Sequence, residues 1–323
     1  MAAPESGLRD ESRNVATGRP VEILPGVYEI RESLAPVFDT PDCWVSLFLL
    51  LDPAGAAPPA LIDSGVPRST ETVLLPALRA LGLAPRDLAV VVNTHSHHDH
   101  AGSNVPLRAA TGCEVWIHAD DGPALERGSS FGDEPCLPHT ADRLLRDGEG
   151  LRLAGRDYEV VHVPGHSPGS AGLYDRERRI LFSGDALQAQ GTATQGIPGA
   201  QDREAYARSV RRAAALPVEH LLAAHPYLPF TDSHVRPGAE VARYLAECQR
   251  FVDEMDGEIL AALRAAGGAA TAGALAAEIC VARGFARPCQ LTAGILRGYL
   301  GQLEVAGRVR RDGDGAAARW SLA

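Results

Sequence analysis

Two strand-rich halves, each with attached helices, predict an α/β protein in which two sheets pack face to face and helices lie outside them. Three observations carry that expectation. Short apolar runs bounded by Gly, Pro, Asn and Asp recur over 21–93 and again over 151–224. Several of those runs end at a His or Asp beside a Gly or Pro, where loops on a rigid scaffold build sites. Beyond residue 236 the order becomes helix, helix, helix and a short hairpin, which is the winged-helix order.

Taken in order, residues 1–19 are polar and charged and read as a flexible arm. A main domain follows over 20–235. Two short strands flank Pro25-Gly26, 44–51 is a continuous apolar strand, and Leu61-Ile62 is a further strand that stops at Asp63-Ser64-Gly65. Residues 71–81 have helical periodicity and end at Gly82; 88–93 is a strand; 104–111, 114–118 and 120–127 read as helix, strand and short helix. The stretch 128–140 carries Gly, Ser, Pro, Phe131 and His139, and reads as an irregular insertion of the kind that covers substrate. Short strands at 151–153, 159–163, 171–174 and 180–182 precede a helix over 204–216 and a strand over 220–224. A C-terminal domain over 236–323 holds a long helix, the Gly267-Gly268 boundary, helices over 271–282 and 290–304, and a two-stranded wing.

The strand at 88–93 runs into Thr94-His95-Ser96-His97-His98-Asp99-His100. His95 and His97 lie two apart in an extended segment and so point the same way, while Asp99 and His100 fall past the turn, where a second ion can use them. Imidazole and carboxylate are ligands that zinc, iron and manganese accept. A solvated histidine cluster is the bland alternative. It leaves unexplained the further ligand types at later strand ends: His166 in Pro164-Gly165-His166-Ser167-Pro168-Gly169, Asp185 in Ser183-Gly184-Asp185, and His225 in Ala224-His225-Pro226. Asp63 fits a residue that accepts a hydrogen bond from a ligand imidazole and fixes its tautomer. A turn or helix-capping aspartate fits that spacing equally. His98 reads as turned outward, His118 as structural, and His162 as core or a support behind the ligands; His139, His220 and His234 have no partner legible in the sequence.

These motifs together resemble the metallo-β-lactamase superfamily over about 21–229. The resemblance implies an αββα sandwich with a binuclear site: His95, His97 and His166 on one metal, Asp99, His100 and His225 on the other, and Asp185 bridging the two. It implies two divalent ions, zinc first, with iron or manganese as alternatives. A water between two such ions is acidified toward neutrality and attacks an acyl or phosphoryl centre without a protein nucleophile, with Asp99, the catalytic candidate, or the bridging system passing the proton to the leaving group. Asp185 stands where several true metallo-β-lactamases place cysteine or serine, and the chain has no lysine to hold a lactam carboxylate, so antibiotic hydrolysis is disfavoured. His95 as first ligand likewise disfavours the flavodiiron branch. The glyoxalase II, lactonase, thioesterase and ribonuclease-like branches remain, beside the persulfide dioxygenases, which use one iron.

Bulk properties narrow the partners. No apolar run approaches the roughly 20 residues that span a bilayer, and the N-terminus lacks an apolar signal core, so the expected location is cytoplasmic. The net charge of −10 argues against a whole-surface grip on nucleic acid. All 31 basic residues are arginines, so any carboxylate anchor is an arginine. Six cysteines are scattered without a C-x-x-C, which suits reduced structural thiols. Arg308, Arg310 and Arg311 on the wing and Arg297 on the preceding helix are the residues that would contact nucleic acid. Against this, Asp312 and Asp314 adjoin the wing, and packing or homodimerisation is the favoured role for the module. The expected function is metal-dependent hydrolysis of a small acyl substrate, a thioester, ester or lactone. The alternative is a ribonuclease or other phosphodiesterase.

Overall fold

The computed structural model describes residues 18–35, 37–38, 43–235, 237–285, 289 and 291–323. Residues 1–17 of the expected arm, and the expected element ends Arg236 and Gln290, lie outside the described residues.

The first half supplies β1 (Val21–Leu24), β2 (Val27–Ser33), β3 (Trp44–Leu50), β4 (Ala60–Ile62), α1 (Leu75–Ala80), β5 (Val90–Asn93), the single turn α2 (His98–Ala101), α3 (Asn104–Thr111), β6 (Glu114–His118), α4 (Gly122–Arg127), β7 (Ser129–Phe131), β8 (Glu134–Cys136) and β9 (Arg143–Leu145). Seven of these strands form one sheet in the order β1-β2-β3-β4-β5-β6-β9. The second half supplies β10 (Gly150–Leu153), β11 (Arg156–His162), β12 (Ala171–Asp175), β13 (Ile180–Gly184), α5 (Arg203–Ala214), β14 (His220–Ala223) and β15 (His234–Val235). Its six strands pair in sequence order, with β13 and β14 parallel.

Strands covered on both faces are apolar at successive positions rather than alternate ones. In β3, Phe48 and Leu50 face the second sheet and share a core with Ile62, Val92, Phe182 and Leu222. The intervening Val45, Leu47 and Leu49 share the opposite core with Leu78 of α1 and Leu107 of α3. On the second sheet, Leu181, Leu221 and Ala223 meet Tyr206 and Val210 of α5. The layers are therefore helix, sheet, sheet, helix. Cross-sheet hydrogen bonds from Ser46 N to Ala224 O (2.7 Å) and from Ala171 N to Thr94 O (2.9 Å) close the sandwich at the end that carries the ligand-type residues.

The C-terminal part comprises α6 (Ala239–Ala265), β16 (Ala269–Thr271), α7 (Ala272–Ala282), α8 (Thr292–Val305), β17 (Val309–Asp312) and β18 (Arg319–Leu322). The expected two-stranded wing is a three-stranded sheet, because β16 pairs with β18. One continuous core joins Tyr206 of α5, Phe251 and Met255 of α6, Leu275 of α7, Tyr299 of α8 and Trp320 of β18. Among the described residues no helix is long and apolar enough to cross a membrane.

Two further expectations need correction. The helix expected over 71–81 is a π-helical turn at Thr70–Leu74 followed by α1; Pro76 lacks the N–H that would extend an α-helical ladder back across it. The irregular insertion expected over 128–140 contains the hairpin β7–β8. Its Phe131 is buried against Phe38, with ring centroids 5.7 Å apart, and is part of the first sheet's outer core, so the hairpin is pinned there.

Candidate metal centre

The loops after β4, β5, β11, β13 and β14 carry Asp63, His95 to His100, His166, Asp185 and His225 to one place. The His95 ring lies 4.6 Å from that of His97, 4.8 Å from His166 and 4.0 Å from His100, centroid to centroid. Asp185 lies between two sets of imidazoles. Its Oδ2 is 3.5 Å from His166 Nε2, and its Oδ1 is 3.5 Å from both His100 Nε2 and His225 Nε2. Asp99 Oδ2 is 3.3 Å from His225 Nε2. Three groups here have ligand atoms within 4.8 Å of one another: His95, His97 and His166; His95, His100 and Asp185; Asp99, His100 and His225; a fourth such group, His118, Asp120 and His162, lies apart from them.

The opposite ring nitrogens are anchored, which aims the free ones inward. His100 Nδ1 is 2.9 Å from Asp63 Oδ2, His166 Nδ1 is 2.5 Å from Gly199 O, and His225 Nδ1 is 2.6 Å from Trp44 O. His97 presents Nδ1 instead, 2.8 Å from His166 Nε2. Asp63 also accepts from Thr94 N (2.7 Å) and Thr94 Oγ1 (2.8 Å), and its own backbone adopts φ +60. Gly184, just before Asp185, has φ +50, and a Cβ there would collide with Thr94 Oγ1. Glycine is required at that point by both backbone and space.

Burial, followed by the His100, His97 and His166 rings, holds the His95 imidazole well below its usual range. Burial and His166 push His97 down to about 3. Burial also lowers His100 and His225, but Asp185 and Asp99 outweigh it and raise both. The carboxyls of Asp99 and Asp185 are raised by burial, yet the surrounding imidazoles hold both well below the carboxylate range.

His95 Nε2, His100 Nε2 and Asp185 Oδ1 are buried without a hydrogen-bond partner. An unpaired buried polar atom costs about 1–3 kcal/mol, and three converging on one spot call for a common partner. Two nitrogens and a carboxylate oxygen form a donor set that suits a divalent cation such as zinc, iron or manganese.

Two supporting residues escaped the sequence reading. Asp121 joins the two ligand loops: Oδ2 accepts from Ser96 N (2.8 Å) and Ser167 Oγ (2.9 Å), and Oδ1 from Gly169 N (2.7 Å). It follows the β6 strand end and precedes Gly122, the same signal that marked Asp63. Gln188 donates to Asp185 O (2.9 Å) and accepts from Gly199 N (2.7 Å); nothing in the local sequence marks it. His98, expected to turn outward, borders the cavity and packs on Phe131 at 5.0 Å. His162 lies away from the cluster, stacked on His118 at 4.0 Å with Nε2 2.9 Å from Pro168 O. His139 lies 3.0 Å from Asn104 Nδ2, and His220 Nδ1 lies 3.1 Å from His234 Nε2.

A cavity of about 410 Å³ opens onto the cluster at His97, Asp99, His166, Asp185 and His225. Its other walls come from Leu34, Phe38 and Cys43, from 192–201, and from Leu291 to Gly298. The 128–140 stretch, expected to cover substrate, contributes none of the described lining residues, since the hairpin is held against the outer core. The C-terminal part, expected to serve packing or dimerisation, supplies a cavity wall through α8.

A family model described as "Metallo-beta-lactamase superfamily" matches residues 45–225. A hydroxyacylglutathione hydrolase from Methylococcus capsulatus is 32% identical over 243 residues, covering 75% of this chain and 82% of that protein. An acyl-coenzyme A thioesterase from Gallus gallus is 36% identical over 137 residues, covering 34% of this chain and 48% of that protein. Among solved structures, a metallo-beta-lactamase family protein from Thermus thermophilus superposes with a TM-score of 0.70 at 24% identity, covering 93% of this chain and all of that one; the likeness concerns the fold.

Proposed function

Because the chain belongs to the metallo-beta-lactamase superfamily, we propose that it is a binuclear metal-dependent hydrolase of acyl thioesters. The observation that carries the reading is the position of Asp185, whose two oxygens face His166 on one side and His100 with His225 on the other. In this reading His95, His97 and His166 would hold one ion and Asp99, His100 and His225 the other, with Asp185 available to both. Zinc suits the donors, and iron and manganese suit them too. Bound there, the ions supply Lewis-acid activation of water and of the substrate carbonyl.

The chain's own part is positioning and proton handling. Asp63, Gly199 O and Trp44 O hold the His100, His166 and His225 rings by Nδ1, so their Nε2 atoms need no reorganisation on binding. Asp99 borders the cavity, and its carboxylate is held deprotonated by His100 and His225 against the effect of burial. It is therefore a proton acceptor at Oδ1 or Oδ2 rather than a ready acid. A thioester suits that state, since a thiol with a pKa of about 8.5 departs as thiolate without prior protonation. The names of the relatives point the same way, toward hydroxyacylglutathione and acyl-coenzyme A. The segment 239–323 is, in this reading, a winged-helix-like unit whose α8 completes the substrate cavity. Its Arg311 guanidinium faces Glu304 at 3.7 Å and Asp314 at 3.9 Å.

The test combines elemental analysis of the purified protein with a thioester panel monitored by free-thiol release. Two divalent ions per chain, turnover abolished by chelation and restored by metal, and loss of turnover in Asp185→Ala are expected. A metal-free protein that still hydrolyses thioesters would overturn the reading.

A further inference from the structure

Glycine is a poor residue for a helix interior, yet α8 places Gly294, Gly298 and Gly301 within 14 residues. Gly294 and Gly298, four residues apart and so on one face, both line the cavity; Gly301 does not. A Cβ on Gly298 would meet no atom within 4 Å, and one on Gly294 only Arg297 Nη2 at 3.7 Å. Close packing against the sandwich therefore does not demand either glycine; both are exposed and line the cavity, so a side chain added there would stand in open space on that wall. The same cavity is lined by Leu34, Phe38, Leu291 and Ile295, and it reaches the partnerless, buried Asp185 Oδ1.

The polar residues on that wall are neutral: Thr192, Thr194, Gln195 and Gln201. Among the described lining residues there is no arginine, and the chain has no lysine. Away from the ligand cluster, carboxylates or phosphates on a thiol such as glutathione or coenzyme A would meet no basic lining residue. An apolar acyl chain would displace water from apolar walls, which is favourable.

We infer that helix α8 sets the acyl-chain specificity of the site, with Gly294 and Gly298 leaving room for an unbranched apolar acyl group whose carbonyl lies at Asp99 and Asp185. This rests on the thioester reading above and names its substrate as a short- to medium-chain acyl thioester. Each methylene taken from water into the cavity is worth about fourfold in kcat/KM. Four added methylenes, from acetyl to hexanoyl, then give a gain on the order of 100-fold.

The test uses the metal-loaded full chain and acyl thioesters of one small neutral thiol, N-acetylcysteamine, from acetyl to octanoyl. In the parent, kcat/KM rises from acetyl to hexanoyl. In Gly298→Leu the hexanoyl-to-acetyl ratio of kcat/KM falls at least tenfold, and Gly301→Leu keeps the parental ratio. Leucine is the better helix former, so a melting temperature no lower than the parent's separates occlusion from unfolding. The inference is overturned if the parent shows less than a twofold preference for hexanoyl, or if Gly298→Leu lowers the ratio no more than Gly301→Leu. Calorimetric binding of octanoate and acetate separates this from failure of the thioester reading. If no thioester turns over, but octanoate binds at least tenfold more tightly than acetate and Gly298→Leu removes that difference, hydrolysis fails and the acyl subsite stands. Turnover without any dependence on chain length does the reverse.

Discussion

Removing the Asp121 carboxylate should loosen the metal centre from behind. Asp121 is 1% exposed and holds Ser96 N, Ser167 Oγ and Gly169 N at 2.7–2.9 Å. Ser96 precedes His97 and Ser167 follows His166, whose rings meet at 2.8 Å. In Asp121→Ala, Ser167 Oγ keeps its contact with Ser170 Oγ at 2.8 Å, but two backbone N–H groups lose their acceptor. The Gly169 N–H is buried and bears a full penalty of about 1–3 kcal/mol, while half-buried Ser96 recovers part of its bond from water. With the lost bonds to the carboxylate added, a destabilisation of about 3–4 kcal/mol is expected, a large share of the 5–15 kcal/mol typical of a folded domain. Asp121→Asn keeps Oδ1 for Gly169 and presents a donor to Ser96, so about 1–3 kcal/mol is expected. Urea unfolding of chelator-treated protein isolates this cost from metal binding. Metal titration of the same variants should show affinity weakened by about 10–100-fold. An alanine variant within about 1 kcal/mol of the parent, with undiminished metal affinity, would refute the role assigned to this clamp.

Two further outcomes follow from the same geometry. Gly184→Ala combines a positive φ with a collision at Thr94 Oγ1, so a loss of about 2–4 kcal/mol is expected by thermal or urea unfolding; a loss under about 0.5 kcal/mol would show that the turn can relax. Asp147, half exposed, is raised by burial but pulled below its usual range by Arg212 at 2.7 Å and the His162 N–H at 2.9 Å. A carboxyl lowered on folding stabilises the protein above its unfolded pKa of about 3.9 and loses that contribution as pH falls through the folded value. Asp147→Asn should therefore destabilise at neutral pH, by less than about 1 kcal/mol because solvent screens the pair, and should converge with the parent in acid. A difference that grows as pH falls below 4 would contradict the assignment.

Much of the sandwich is legible in the chain because its signals are local. Two-face burial makes β3, β5 and β14 continuous apolar runs, and a Gly or Pro marks the end of several strands, so element type survives without any knowledge of the partner strand. Signals fail where the deciding interaction is distant or small. The two-residue β15 carries no periodicity of its own. Strand β9 is three residues long and pairs in parallel with β6, whose residues lie 27 positions earlier. The hairpin β7–β8 sits in a stretch rich in Gly, Ser and Pro, and its stability comes from Phe131 in the outer core rather than from local β-propensity.

At the site, the sequence by itself marked the candidate ligand types, since His95, His97, Asp99 and His100 are set by spacing along a single strand and turn, and His166, Asp185 and His225 stand at recognisable strand ends; their grouping on two ions is what the family resemblance implies. Tertiary structure alone decided how those rings are aimed and what they face. Trp44 O lies 181 residues from His225, and Gly199 O lies 33 from His166; every residue has a carbonyl, so no side-chain identity could announce either one. The cavity wall is of the same kind. Gly294 and Gly298 read locally as weak points in a helix, and only the packing of α8 beside the ligand cluster makes them part of the cavity lining.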